Sequence, residues 1–213
     1  MCSQLVSFDD LVAVMRARGS SGRSVTGLAG PPAAGKSTLA LRFEAALNAA
    51  EPGSAAVLQM DGYHYDDAVL EARGLRSRKG APETFDVAGL IHMLRRLRAN
   101  QEAEVAAPVF DRSLEVARGA ARIIPQTVRH LIVEGNYLLL ERAPWSALRP
   151  LFDTTVLIEA GIEELRERLV ERWRGVGMKP AEIEAKIDGN DLANARLVLA
   201  ESGGAEFRIY GSH

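Results

Sequence analysis

The sequence predicts an α/β fold built around a central, mainly parallel sheet, and three observations lead there. Short apolar runs of strand length alternate with segments of helical period along the chain. A glycine-rich loop stands between the first of these runs and the helix after it. Acidic residues stand at the ends of the next two runs, where open α/β sheets place their ligands.

Taken in order, Ser7 caps a helix over 8–18 that closes at Gly19. Residues 25–29 form the first strand. The loop Gly30-Pro-Pro-Ala-Ala-Gly35-Lys36-Ser37 leads into a helix at 38–47, with apolar Leu39, Phe43, Ala46 and Leu47. Residues 55–60 form a second strand, ending at Asp61-Gly62. Residues 62–84 are polar, rich in Arg and Gly and without a period; about 61–86 is expected to face substrate, with room for one short helix. Asp86 caps a helix over 87–98, and 101–125 holds two short extended pieces around Pro108 and Pro125. Residues 131–135 and 155–159 form the third and fourth strands. Helices follow at 162–173, 181–187 and 192–199, and a last strand at 205–210.

Gly30 to Ser37 match G-x-x-x-x-G-K-[ST] in full, in the strand–loop–helix setting the pattern requires. Backbone N–H groups and the positive end of the helix dipole converge there on one anion site. Gly30, Pro31, Ala33, Ala34, Gly35, Lys36, Ser37 and Thr38 are therefore expected to hold the phosphates of a nucleoside triphosphate. Lys36 reaches the β- and γ-phosphates and the Ser37 hydroxyl ligates Mg²⁺. Asp61, at a strand end and before a glycine, suits a general base for an attacking hydroxyl or a carboxylate holding Mg²⁺-bound water. Glu134, at the tip of the third strand, is the expected partner of Mg²⁺.

Arg168 and Arg172 lie four apart and share a helix face, so both could close over the triphosphate. Gly175 and Gly177 supply a hinge for such a lid, over about 162–180. The competing account is a solvated helix, with Glu164 and Glu171 as ion-pair partners. Tyr63, His64 and Arg78, in the loop after Asp61, suit contacts to a small polyol, sugar or nucleoside.

The chain has 213 residues, 47% hydrophobic and 25% charged, so one large domain with a substantial core is expected over 1–213. A net charge of −2 gives no general pull toward nucleic acid or an anionic membrane. No apolar run is long enough to span a bilayer, and the first residues do not read as a signal peptide. One cysteine, Cys2, excludes an internal disulfide and fits a reducing, cytoplasmic setting. The expected partner is a small molecule bearing a hydroxyl, and the protein is expected to be a monomer or homodimer.

The phosphate loop, Asp61-Gly-Tyr-His64, Arg78-Lys-Gly-Ala-Pro-Glu-Thr-Phe-Asp86, Pro108-Val-Phe-Asp-Arg112, Val133-Glu-Gly-Asn-Tyr137 and Asn190-Asp191 together resemble one family. It is the uridine kinase, phosphoribulokinase and pantothenate kinase group of P-loop kinases. Within it, the chain is most similar to bacterial nucleoside kinase-like or fructose transport system kinase (fructokinase-like) proteins. The resemblance runs from about 25 to 199. It implies a three-layer P-loop NTPase fold of the kinase type with an arginine-bearing lid, and ATP-dependent transfer to a hydroxyl. It also implies Asp61 as the base, lid arginines on phosphate, 190–194 near the adenine, and an acceptor side at 61–86 and 108–112 that includes Asp111. A sugar such as fructose is the acceptor it implies; a nucleoside or a pantothenate-like alcohol is the alternative. The residues after Asp61 depart from the uridine kinase set.

Other classes are an acceptor-independent ATPase and a nucleotide-binding regulatory module. The guanine-reading N-K-x-D is absent, and Asp86-Val-Ala-Gly89 opens a helix where a GTPase motif would end a strand. Ser202-Gly-Gly204 lies after Glu134 and lacks the rest of a transporter signature.

Overall fold

The computed structural model describes residues 3–211, so Cys2 lies outside the described residues. Eight strands and seven α-helices are numbered here in chain order: β1 (Gln4–Leu5), α1 (Phe8–Arg18), β2 (Ser24–Ala29), α2 (Lys36–Ala50), β3 (Ala55–Gln59), α3 (Asp67–Ala72), α4 (Val87–Ala99), β4 (Glu104–Asp111), β5 (Val116–Pro125), β6 (His130–Gly135), β7 (Thr154–Glu159), α5 (Ile162–Gly175), α6 (Pro180–Lys186), α7 (Leu192–Glu201) and β8 (Phe207–Tyr210). Six strands form one sheet in the order β1-β8-β7-β2-β6-β3, every pairing parallel. β4 and β5 form a separate antiparallel hairpin.

Every residue of β2 and β6 is buried, as expected of parallel strands covered on both faces. Successive side chains point to opposite faces, so neighbours in one strand join different cores. Leu131 and Val133 pack with Leu58, Leu90, Leu94 and Trp145 on one side. Ile132 packs with Leu28, Val57, Phe43 and Leu11 on the other. A third, smaller cluster of Leu169, Ile183, Ile187 and Leu192 joins α5, α6 and α7. Helix ends follow the chemistry of their residues: Ser7 and Asp10 form a reciprocal capping box on α1, and the Asp86 carboxylate accepts from the Gly89 N–H at the start of α4.

The expected elements are present, with local differences. β1 was not foreseen, because two residues show no period. The segment expected as a loop contains α3 and tight turns at Met60–Tyr63, Arg76–Arg78 and Pro82–Thr84. The two extended pieces are longer than expected. Their register shifts between Ala107 and Val109, where Pro108 has no N–H to give the ladder. A π-helical turn, Ile187–Asp191, joins the last two helices. No helix among the described residues is long and apolar enough to cross a membrane.

Candidate active site

β2 has β6 on one side and β7 on the other, and from β2 the chain runs through α2 to β3, beyond β6. That arrangement opens a crevice beyond the carboxyl ends of the strands. A cavity of about 610 Å³ lies there, lined by the phosphate loop, the turn after β3, the end of β6, the hairpin tip, α5 and the π-helical turn.

On the loop side, Gly35 caps α2 with φ 86°, a left-handed conformation that glycine adopts without a steric penalty. Ala33 is also left-handed, at φ 63°, and no sequence pattern announced it. Lys36 is buried and donates from Nζ to the Pro31 carbonyl at 2.8 Å. Burial brings its pKa down to about 8, against the opposing pull of Glu134 and Asp61. The Ser37 hydroxyl donates to Glu134 Oε1 at 3.1 Å. Glu134 is buried at the end of β6, and burial plus the nearby Asp61 charge raise its carboxyl above the ordinary range. Ala33, Gly35, Lys36, Ser37 and Thr38 line the cavity. Gly30, Pro31 and Ala34 are not among the lining residues. Gly30 lies against Ile158 and Ala34 is in the core, so these residues can offer a ligand only backbone.

In the same cavity, Asp61 sits in the turn after β3 and accepts from Arg112 Nη2 at 2.8 Å through Oδ2. Gly62 follows because a Cβ there would stand 2.7 Å from the Pro108 carbonyl oxygen of the hairpin. His64 lines the cavity with its ring between Phe85 and Phe110, at centroid distances of 4.0 and 4.8 Å. Lys79 bridges Asp67 and the Glu115 carbonyl at 2.7 and 2.6 Å, and Asn136 completes this wall.

Three expected acceptor contacts lie elsewhere. Tyr63 is buried in the core among Phe85, Val87 and Leu90, because the tight 3₁₀ turn puts it on the same inward face as Met60, three residues before. Arg78 pairs with Glu83 at 2.9 Å outside the cavity lining. Asp111 is also outside the lining and closes the hairpin turn, accepting from Ser113 and Arg118.

Arg168 and Arg172 both line the cavity. Arg168 reaches the Ala33 carbonyl at 3.3 Å and Glu164 at 2.6 Å, while Arg172 lies over the Trp173 ring. Arg166 turns away to Glu184 and Asp188. Of 190–194, Asp191 and Asn194 line the cavity, and Asn190 donates to the Lys79 carbonyl at 3.0 Å. Trp173 was not foreseen at the site; its indole N–H donates to Asp191 at 2.7 Å. Nor were Arg112, Phe85 and Phe110 singled out, although the first and last belong to one recognisable segment, 108–112.

Compared with models of known protein families, the chain matches none. Individual proteins do match. The Escherichia coli K12 protein YggC is 38% identical over 183 residues, which cover 84% of this chain and 74% of YggC. A Schizosaccharomyces pombe protein provisionally named a uridine kinase is 33% identical over 184 residues, covering 83% of this chain and 78% of that one. Among solved structures, a protein of Silicibacter sp. TM1040, provisionally named a fructose transport system kinase, is 37% identical with a TM-score of 0.84, covering 95% of this chain and 98% of that one. With the parallel sheet and the phosphate-loop cavity beside them, these likenesses identify a small-molecule kinase: the chain belongs to the P-loop kinases of the uridine kinase, pantothenate kinase and phosphoribulokinase group.

Proposed function

We propose that this kinase transfers the γ-phosphoryl group of ATP to a hydroxyl of a small polyol, with a sugar such as fructose as the first candidate. One observation carries the proposal: the phosphate loop and Asp61 line a single cavity. Lys36 and the loop amides hold the phosphates. Asp61 accepts the proton of the attacking hydroxyl, within an ion pair that orients its carboxylate. Arg168 and Arg172 add positive charge beside the transferring group.

Ser37 and Glu134 present oxygen atoms suited to Mg²⁺, which supplies charge neutralisation at the phosphates when bound. No group of three or more His, Cys, Asp or Glu among the described residues could hold a metal alone. A hydroxyl and a carboxylate completed by phosphate oxygens is how Mg²⁺ is commonly held. The aromatic and polar wall suits a polyol, and the choice of fructose among polyols rests on the provisional name of the Silicibacter relative. ADP release should be measured with ATP, Mg²⁺ and a panel of sugars, nucleosides and pantothenate. Release that depends on a sugar supports the proposal. A nucleoside or pantothenate as the best acceptor would move it to the alternative, and acceptor-independent release would overturn it.

A further inference from the structure

His64 carries a polarity that the acceptor must match. Its Nδ1 lies 2.8 Å from the Asp61 carbonyl oxygen. A carbonyl can only accept, so Nδ1 bears the proton and the neutral ring leaves Nε2 as a bare acceptor. The ring also packs against Phe85 and Phe110, at centroid distances of 4.0 and 4.8 Å, beside its bond to the backbone. Burial also disfavours its charged form, as do the nearby Lys79 and Arg112, while Asp61 opposes them. Asp61 lies in the turn Met60–Tyr63, His64 closes that turn three residues on, and both line the same cavity. That turn therefore offers two hydrogen-bond acceptors, one from a carboxylate and one from an imidazole.

We infer that His64 is a specificity residue whose Nε2 accepts a hydrogen bond from a second hydroxyl of the acceptor, which is therefore a polyol and not a lone alcohol. This rests on the kinase reading above, in which Asp61 takes the hydroxyl that is phosphorylated. A single-hydroxyl acceptor would leave Nε2 facing the bound molecule without a donor, and sites built to bond a hydroxyl discriminate strongly against its loss.

Two measurements on the intact protein decide the matter. Nitrogen-15 NMR of the imidazoles at pH 7, with His64→Gln to assign the signal, should show His64 neutral with its proton on Nδ1. A proton on Nε2, or a charged ring, overturns the inference without reference to turnover. For the kinetics, ADP release is measured with D-fructose, D-ribose, glycerol and uridine, and with 1-propanol and 2-propanol as lone alcohols. The singly deoxygenated forms of the best acceptor are then compared in the wild type and His64→Phe. One deoxygenation should lower kcat/KM about tenfold or more in the wild type and leave it unchanged in His64→Phe. His64→Gln, which keeps an acceptor oxygen, should recover part of the loss. Unchanged MgATP affinity in both variants would show that the phosphate side is intact. Turnover of lone alcohols as good as that of polyols, or no deoxygenation whose effect depends on His64, overturns the inference alone. Turnover with no acceptor at all overturns the kinase reading with it.

Discussion

Lys36, Asp61 and Glu134 reach one cavity from three separate parts of the chain, and their substitutions should separate by what each one costs. Lys36→Ala is expected to lower kcat/KM by about 10²–10³-fold or more, as loss of a charge aimed at the transferring phosphoryl should. Asp61→Asn is expected to lower kcat by at least about 10²-fold while MgATP affinity stays within about twofold; steady-state kinetics beside equilibrium nucleotide binding would check both. The free enzyme also carries a pH signature. Lys36 is charged below about 8, so kcat/KM for ATP should fall as pH rises through that value. Glu134 has a raised pKa and is useful as a carboxylate, so kcat/KM should fall on the acid side at a pH above the ordinary carboxylate range. The two limbs belong to the interacting pair and not to single residues; a pH–rate profile from pH 5 to 10 with one flat plateau would contradict it. These three residues were legible because a motif or a strand end announces them. Tyr63, Arg78 and Asp111 do not line the cavity: Tyr63 packs in the core, Arg78 pairs with Glu83 and Asp111 closes the hairpin turn, placements that no local period encodes.

Elements with a steady period were legible nearly to the residue. α1 and α4 begin where their caps predict. The tight turns, the hairpin and the π-helical turn were not, since each depends on neighbours distant in sequence. The turn bearing Asp61 is the clearest case: Gly62 is needed because the hairpin backbone passes close by at Pro108. Gly62→Ala is expected to destabilise by about 1–3 kcal/mol through forced overpacking. It should also reduce activity by displacing Asp61. Urea denaturation together with kcat would register both, and a variant of wild-type stability would show that the approach is not tight. The lid is similar. The sequence placed arginines on α5, but their division became visible only with α6 and the π-helical turn in place: Arg166 to Glu184 and Asp188, Arg168 and Arg172 to the cavity.

At the scale of the molecule, the central strands serve two cores and the site at once. β6 sends Leu131 and Val133 to one face, Ile132 to the other, and Glu134 to the cavity at its end. Ile132→Ala should therefore destabilise by about 2–5 kcal/mol, the cost of a cavity in a closely packed interior. Thermal and urea unfolding would measure it, and a loss below about 1 kcal/mol would mean that the face relaxes around the gap. The sequence by itself determined the α/β class, the phosphate loop, the two strand-end acids and the arginine-bearing helix. Those features are written in local period, caps and a contiguous motif. Tertiary structure alone decided the strand order β1-β8-β7-β2-β6-β3, the pairing of Arg112 with Asp61, and the placing of His64 between Phe85 and Phe110. Those features arise from packing between segments tens of residues apart. No local pattern encodes such contacts.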